Sequence, residues 1–206
     1  MDFYNQTVTI YDGVFEQSFC NQLISEFEYR SKLKKTKRDP YFVEKLDLDD
    51  EWQMDIHDVI YAYLDDYKTK QWVERDYENY MKDSSILKYV AGDMRWMHAG
   101  EPKDRELITL STLVFLNDDY EGGELRFKDW DHTIHPRAGR LVIFPSCYLF
   151  PHEVTMVESG ERYTLTTAYG YKVLGPNTGH SITQDMHESA KKAKENFLER
   201  RKQTLD

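Results

Sequence analysis

The chain has 206 residues, room for one domain with a sizeable core, and its 40% hydrophobic and 14% aromatic content excludes a disordered chain. A formal net charge of -10 and a pI near 5.2 argue against a surface that coats nucleic acid. No apolar run approaches the roughly 20 residues that cross a bilayer, so no membrane partner is expected. The opening "MDFYNQTVTIYDG" lacks the basic start and apolar stretch of a signal peptide, which makes a cytoplasmic location the expectation. Cys20 and Cys147 show no metal-type spacing and read as reduced thiols.

In chain order, "VTIYDG" alternates and ends in a turn signal, which predicts a short edge strand. Phe15, Phe19, Leu23 and Phe27 then recur every fourth residue and mark an amphipathic helix. Residues 31–45, "SKLKKTKRDPYFVEK", read as a basic, Pro-broken solvated connection. A second helical block covers 49–81, with Trp52, Ile56, Val59, Ile60 and Tyr63 at helical spacing and His57 read as structural. From residue 85 the texture changes to short β-rich segments separated by Gly, Pro, Asn and Asp, the pattern of a double-sheet jelly roll. Within it "NDDYEGGEL" reads as a hairpin-like connection and "HPRAGRL" as a turn. The tail is helix-friendly and rich in mixed charges. The expected architecture is α+β and a single domain over 1–206. It comprises an N-terminal strand and supporting helices (1–84), a double-stranded β-helix core (85–173) and a polar C-terminal helical tail (174–206).

Three features stand out as candidate chemistry: His98 early in the β-region, His152 in "FPHEV" on a later strand, and Arg162 in "GERY" ten residues on. Residues i and i+2 of a strand share a face, so an H-x-D or H-x-E pair points both side chains into a barrel. A second histidine from a distant strand completes the facial arrangement of two histidines and one carboxylate that holds non-haem Fe(II) with open positions. An inward arginine can hold the far carboxylate of a dicarboxylic co-substrate through a bidentate ion pair. His132 and His135 in "DHTIHP" are read as surface or turn residues, and Asn117, Gly122 and Gly123 as turn geometry. Trp96 and Met97 are read either as the lining of a substrate mouth or as core. Arg126, Arg137 and Arg140 are read as solvated unless they meet an anionic substrate.

"FLNDDYEGGEL", "PRAGRLVIFPS", "PHEV" and "GERYTLT", in this order after His98, resemble the Fe(II)/2-oxoglutarate-dependent dioxygenases of the prolyl-4-hydroxylase type over about residues 85–172. The resemblance implies a jelly-roll fold with Fe(II), 2-oxoglutarate and O2. It implies metal binding by His98 and His152, and co-substrate binding by Arg162 with Tyr89 and Thr164. Some relatives carry a tyrosine before the Leu-Asn pair; Phe115 stands in that place here, so one hydroxyl contact is expected to be missing.

The departure is Gly100, where the family has its acidic ligand. Three readings stay open. In one, the site keeps two histidines and a position beside Gly100 takes chloride, as in the related halogenases. In another, Glu101, Asp104 or Asp93 serves as the third ligand and the product is hydroxylated; Glu101 would need a bulge or turn to do so. In the last, the barrel is a non-catalytic binding module. The expected partner is a small-molecule or peptide substrate.

Overall fold

The computed structural model describes residues 7–38, 43–70, 79–99 and 107–171. Two helices, α1 (Gln17–Lys32) and α2 (Asp50–Lys70), lie in its first part. The strands are β1 (Thr9–Tyr11), β2 (Lys37–Arg38), β3 (Glu44–Asp47), β4 (Asn79–Val90), β5 (Arg95–His98), β6 (Leu107–Phe115), β7 (Glu121–Gly122), β8 (Leu125–Phe127), β9 (His132–Ile134), β10 (Leu141–Pro145), β11 (His152–Val154), β12 (Val157–Ser159) and β13 (Glu161–Tyr171). They form a major sheet in the order β1-β10-β6-β13-β4-β3-β2, a minor sheet β5-β11-β8-β9, and a ribbon β12-β7. This is the expected jelly roll with N-terminal helices. The predicted tail, 174–206, lies outside the described residues, as do Gly100, Glu101 and Asp104.

The apolar runs on the central strands are continuous because the major sheet is buried on both faces. Along β10, Leu141 and Ile143 face the helices while Val142 and Phe144 face the minor sheet. Along β6 and its C-terminal extension, Val114 and Leu116 join the first group, and Leu113 and Phe115 the second. Helices α1 and α2 cover the first face with Cys20, Leu23 and Phe27, and with Ile56, Ile60, Leu64 and Tyr67. Leu125, Phe127 and Ile134 of the minor sheet close the second. On β13 the same alternation sends Tyr163 and Leu165 to the helices and puts two polar residues, Arg162 and Thr164, on the inter-sheet face.

Three local expectations are corrected. Residues 31–45 are not one solvated loop: Lys37–Arg38 and Glu44–Asp47 are strands that extend the major sheet beyond β4. Their charges suit an edge, where lysine discourages further pairing, and Lys37 and Lys45 are neutralised locally by Asp47. Residues 79–81 continue β4 rather than the second helix, because Asn79, Tyr80 and Met81 pair with Tyr171, Gly170 and Tyr169. The β-core therefore starts at 79. "NDDYEGGEL" is not a hairpin: β7 pairs with β12 and β8 with β11 and β9, so the segment carries the chain from one sheet to the other. The "HPRAGRL" turn forms as expected, with Arg140 N–H donating to the Arg137 carbonyl at 3.0 Å. His57 packs between Tyr61 and Tyr169, a structural position. Both cysteines are free.

Helix α1 is pinned to β4 and β13 by a charged cluster. Lys88 Nζ donates to Glu28 Oε1 at 2.8 Å and lies 2.9 Å from Glu161 Oε1, and the Tyr163 hydroxyl donates to Glu28 at 2.7 Å. Burial alone would raise the Glu28 carboxyl, but the hydrogen bonds from Lys88 and Tyr163 and the lysine charge outweigh it and hold the group below its ordinary 4.5. A carboxyl lowered in the folded state contributes stability that is complete above its unfolded value and is lost as pH falls through the folded one. A Tm profile from pH 6 downward should therefore decline below about pH 4.5, and Lys88→Met should flatten that decline. An unchanged slope in the mutant would contradict the assignment.

Candidate active site

The site begins with a bulge. His98 and His152 are direct cross-strand partners between β5 and β11, and their ring centroids are 4.3 Å apart. The next pair is Arg95 with Val154, three steps along β5 against two along β11. The extra residue, at Trp96–Met97, breaks the two-residue alternation. Trp96 is thereby turned out, 70% exposed, which rules out the core reading for its side chain. The bulge also aims a carbonyl: His98 Nδ1–H donates to Trp96 O at 2.9 Å. His152 repeats the pattern, with Nδ1–H donating to Phe150 O at 3.0 Å.

A carbonyl only accepts, so each contact places the ring proton on Nδ1 and leaves the Nε2 lone pair available. Burial pushes both imidazoles down to about 4; the charge of Arg95 adds to this for His98, and His98 itself adds to it for His152. Two neutral, backbone-oriented imidazoles side by side are a donor set that suits a divalent transition metal. His152 is seated by aromatic packing on Phe144 at 4.7 Å and Phe127 at 5.5 Å. Among the described residues no third His, Cys, Asp or Glu joins the pair. Asp93 is engaged elsewhere, its carboxylate accepting the Val90 N–H at 2.9 Å in the turn before β5.

Arg162 occupies the same inter-sheet layer and has no solvent exposure. Its guanidinium carbon lies 4.7 Å from the centroid of the Tyr89 ring and 5.4 Å from that of Phe115, which packs with Phe127 and Phe144. Tyr89 is its direct cross-strand partner, so the residue predicted to help hold the co-substrate meets the arginine through its ring. Nε donates to the Gly123 carbonyl at 2.8 Å and Nη1 to the Thr164 hydroxyl at 3.1 Å. Nη2, buried as well, makes no well-formed hydrogen bond among the described residues. The side-on Nε–Nη2 edge is therefore half committed. Gly123 allows this approach: with φ at +64°, a Cβ there would stand 2.8 Å from Arg162 Cδ and 3.1 Å from Tyr120 Cε2.

Asn117 holds the strand that carries Arg162 from both sides. It donates to the Glu161 carbonyl at 2.7 Å and accepts from the Tyr163 N–H at 2.8 Å. Its role is thus wider than the turn geometry expected for it. The surface arginines do not await an anion: Arg126 pairs with Glu153, and Arg137 and Arg140 with Asp12. His135 is exposed, 3.9 Å from Glu124. Tyr120, 8% exposed, lies beside Arg162 with a buried hydroxyl that makes no well-formed hydrogen bond among the described residues, a placement the sequence reading does not anticipate. Its only signal is an aromatic two residues before the glycine pair in "DYEGG".

Residues 84–170 match the family model of the 2OG-Fe(II) oxygenase superfamily. The fold of the described residues is prolyl-hydroxylase-like. Prolyl 3-hydroxylase 2 of Rattus norvegicus is 37% identical over 67 residues, which cover 30% of this chain and 10% of that protein. The chain thus spans about a tenth of the length of the curated relatives it matches. Among solved structures, the viral collagen prolyl hydroxylase of Paramecium Bursaria Chlorella virus-1, in its 2OG complex, superposes with a TM-score of 0.66 at 17% identity, covering 82% of this chain and 98% of that one. A prolyl hydroxylase from Trichoplax adhaerens, in complex with a hypoxia inducible factor oxygen degradation domain peptide fragment, gives 0.63 at 16% identity, with coverage of 82% and 85%. The 2OG-Fe(II) oxygenase superfamily implies Fe(II), 2-oxoglutarate and O2; none of these likenesses points to chloride.

Asn117→Ala removes two hydrogen bonds to β13 and leaves the Tyr163 N–H and Glu161 carbonyl without that partner. It should lower the free energy of unfolding by about 1–3 kcal/mol, measured by urea denaturation. A value unchanged from the native protein would show that β13 is held without it.

Proposed function

We propose that the chain is an Fe(II)/2-oxoglutarate-dependent oxygenase that hydroxylates a C–H bond of a peptidyl substrate, with proline the first residue to test. The observation that carries this reading is the layer between the sheets. It holds two neutral imidazoles whose Nδ1 protons are tied back to backbone carbonyls, and a fully buried arginine whose Nη2 finds no acceptor among the described residues. Nε2 of His98 and Nε2 of His152 are the metal ligands. Arg162 receives the distal carboxylate of 2-oxoglutarate, with Thr164 and the Tyr89 ring fixing the guanidinium. With its cofactor and co-substrates bound, an enzyme of this class converts 2-oxoglutarate and O2 to succinate and CO2 and oxidises the substrate. Phe127, Phe144 and Phe115 keep the inner end of the site dry, which strengthens the charged contacts made there. Named relatives act on prolyl residues or hold a peptide, which supports a peptide substrate. Exposed Trp96 and Tyr148, near His98 and His152 in the chain, are apolar surface against which a proline can pack.

Gly100 supports a second reading, chlorination of the same C–H bond, because a glycine at the acidic-ligand position leaves room for a halide. In the hydroxylase reading a nearby acid, Glu101 or Asp104, or a water fills that position. Proline-containing peptides incubated with Fe(II), 2-oxoglutarate and O2 in chloride buffer separate the two. Hydroxylation adds one oxygen to the product mass, whereas chlorination gives the chlorine isotope doublet. His98→Ala and His152→Ala should each abolish succinate formation and weaken Mn(II) binding by at least tenfold. Arg162→Ala should leave Mn(II) binding intact and weaken 2-oxoglutarate roughly a hundredfold. Native metal affinity in both histidine variants would sink this assignment and favour a non-catalytic module.

A further inference from the structure

Arg162 Nη2 and the Tyr120 hydroxyl are buried polar groups that make no well-formed hydrogen bond among the described residues, and the arginine lies close enough to the hydroxyl to act on it through both its charge and its N–H. Both side chains crowd the point where a Cβ on Gly123 would stand, Arg162 Cδ at 2.8 Å and Tyr120 Cε2 at 3.1 Å. A buried donor left unpaired destabilises a fold, so two adjacent ones call for a shared acceptor. The other Arg162 donors are already directed to Gly123 O and Thr164 Oγ1. Burial raises the Tyr120 phenol to about 12, partly opposed by the charge of Arg162 and by an arginine N–H close to the hydroxyl oxygen, so the group stays neutral and keeps its own proton to donate. One cationic N–H and one phenolic O–H side by side match an anion with two acceptor oxygens, a carboxylate. Phe115, whose ring lies 5.4 Å from the Arg162 guanidinium carbon, has no hydroxyl to offer.

We infer that Tyr120 donates the second hydrogen bond to the distal carboxylate of 2-oxoglutarate, beside Arg162 Nη2. The hydroxyl that Phe115 lacks is thereby supplied from the segment between the two sheets, just before β7, instead of from the end of β6. This inference rests on the proposed oxygenase reading, and it assigns Tyr120 to co-substrate binding. Tyr120→Phe removes one oxygen and keeps the ring that packs at Gly123 and the Cβ that packs at Gly160.

The test is anaerobic titration calorimetry of the Mn(II)-loaded full chain with 2-oxoglutarate and with 2-oxobutyrate, which lacks the distal carboxylate. Tyr120→Phe should weaken 2-oxoglutarate roughly tenfold and leave 2-oxobutyrate unchanged. Equal weakening of both ligands would overturn the inference, because a purely structural tyrosine does not distinguish them. Unchanged affinity for 2-oxoglutarate would also overturn it while leaving the oxygenase reading intact. A native chain that binds Mn(II) but no 2-oxoglutarate would overturn both.

Discussion

A guanidinium with no exposed surface is the constraint around which this molecule is arranged. Arg162 lies in the middle strand of the major sheet, and among the described residues no carboxylate pairs with it. A buried charge without compensation is strongly destabilising. Compensation here comes from four directions: the Gly123 carbonyl, the Thr164 hydroxyl and the faces of Tyr89 and Phe115. Each depends on a distinct piece of chain being in register. Tyr89 must pair opposite Arg162, Phe115 opposite Thr164, and the segment before β8 must cross between the sheets close enough to lend a carbonyl. Among the described residues Nη2 finds no acceptor, and the proposed co-substrate carboxylate would supply one.

The histidine pair is built by different means. Its precision comes from backbone irregularity: one extra residue in β5 turns Trp96 outward and supplies the carbonyl that orients His98. The link between the two halves of the site is apolar. Phe115 underlies the guanidinium, while Phe127 and Phe144 pack against His152, and all three belong to one cluster between the sheets. Substitutions in that cluster bear on both halves at once.

Much of this was legible in the sequence. Period-two alternation and turn residues marked the β-core, and every fourth aromatic or leucine marked α1. His98, His152 and Arg162 stood out by residue type and order, and the structure brings the two histidines into direct contact. What escaped depended on register. Lys37–Arg38 and Glu44–Asp47 are too charged to read as strands until a sheet edge is there to receive them. The bulge at Trp96–Met97 leaves no signature, because both residues suit an ordinary strand. Tyr120 looked like part of a hairpin turn, since nothing in "NDDYEGGEL" reveals that its two ends belong to different sheets.

In the proposed reading, His98, His152 and Arg162 together form a site for a metal and 2-oxoglutarate. Adding Fe(II) and 2-oxoglutarate to the apoprotein without oxygen, and recording the visible metal-to-ligand charge-transfer band, tests it most directly. The claim predicts a band that is saturable in both components, absent in His98→Ala and shifted to much higher 2-oxoglutarate concentration in Arg162→Ala. Its response to chloride would then report whether the position beside Gly100 is open to halide. No band from native protein shown to be folded would contradict the claim.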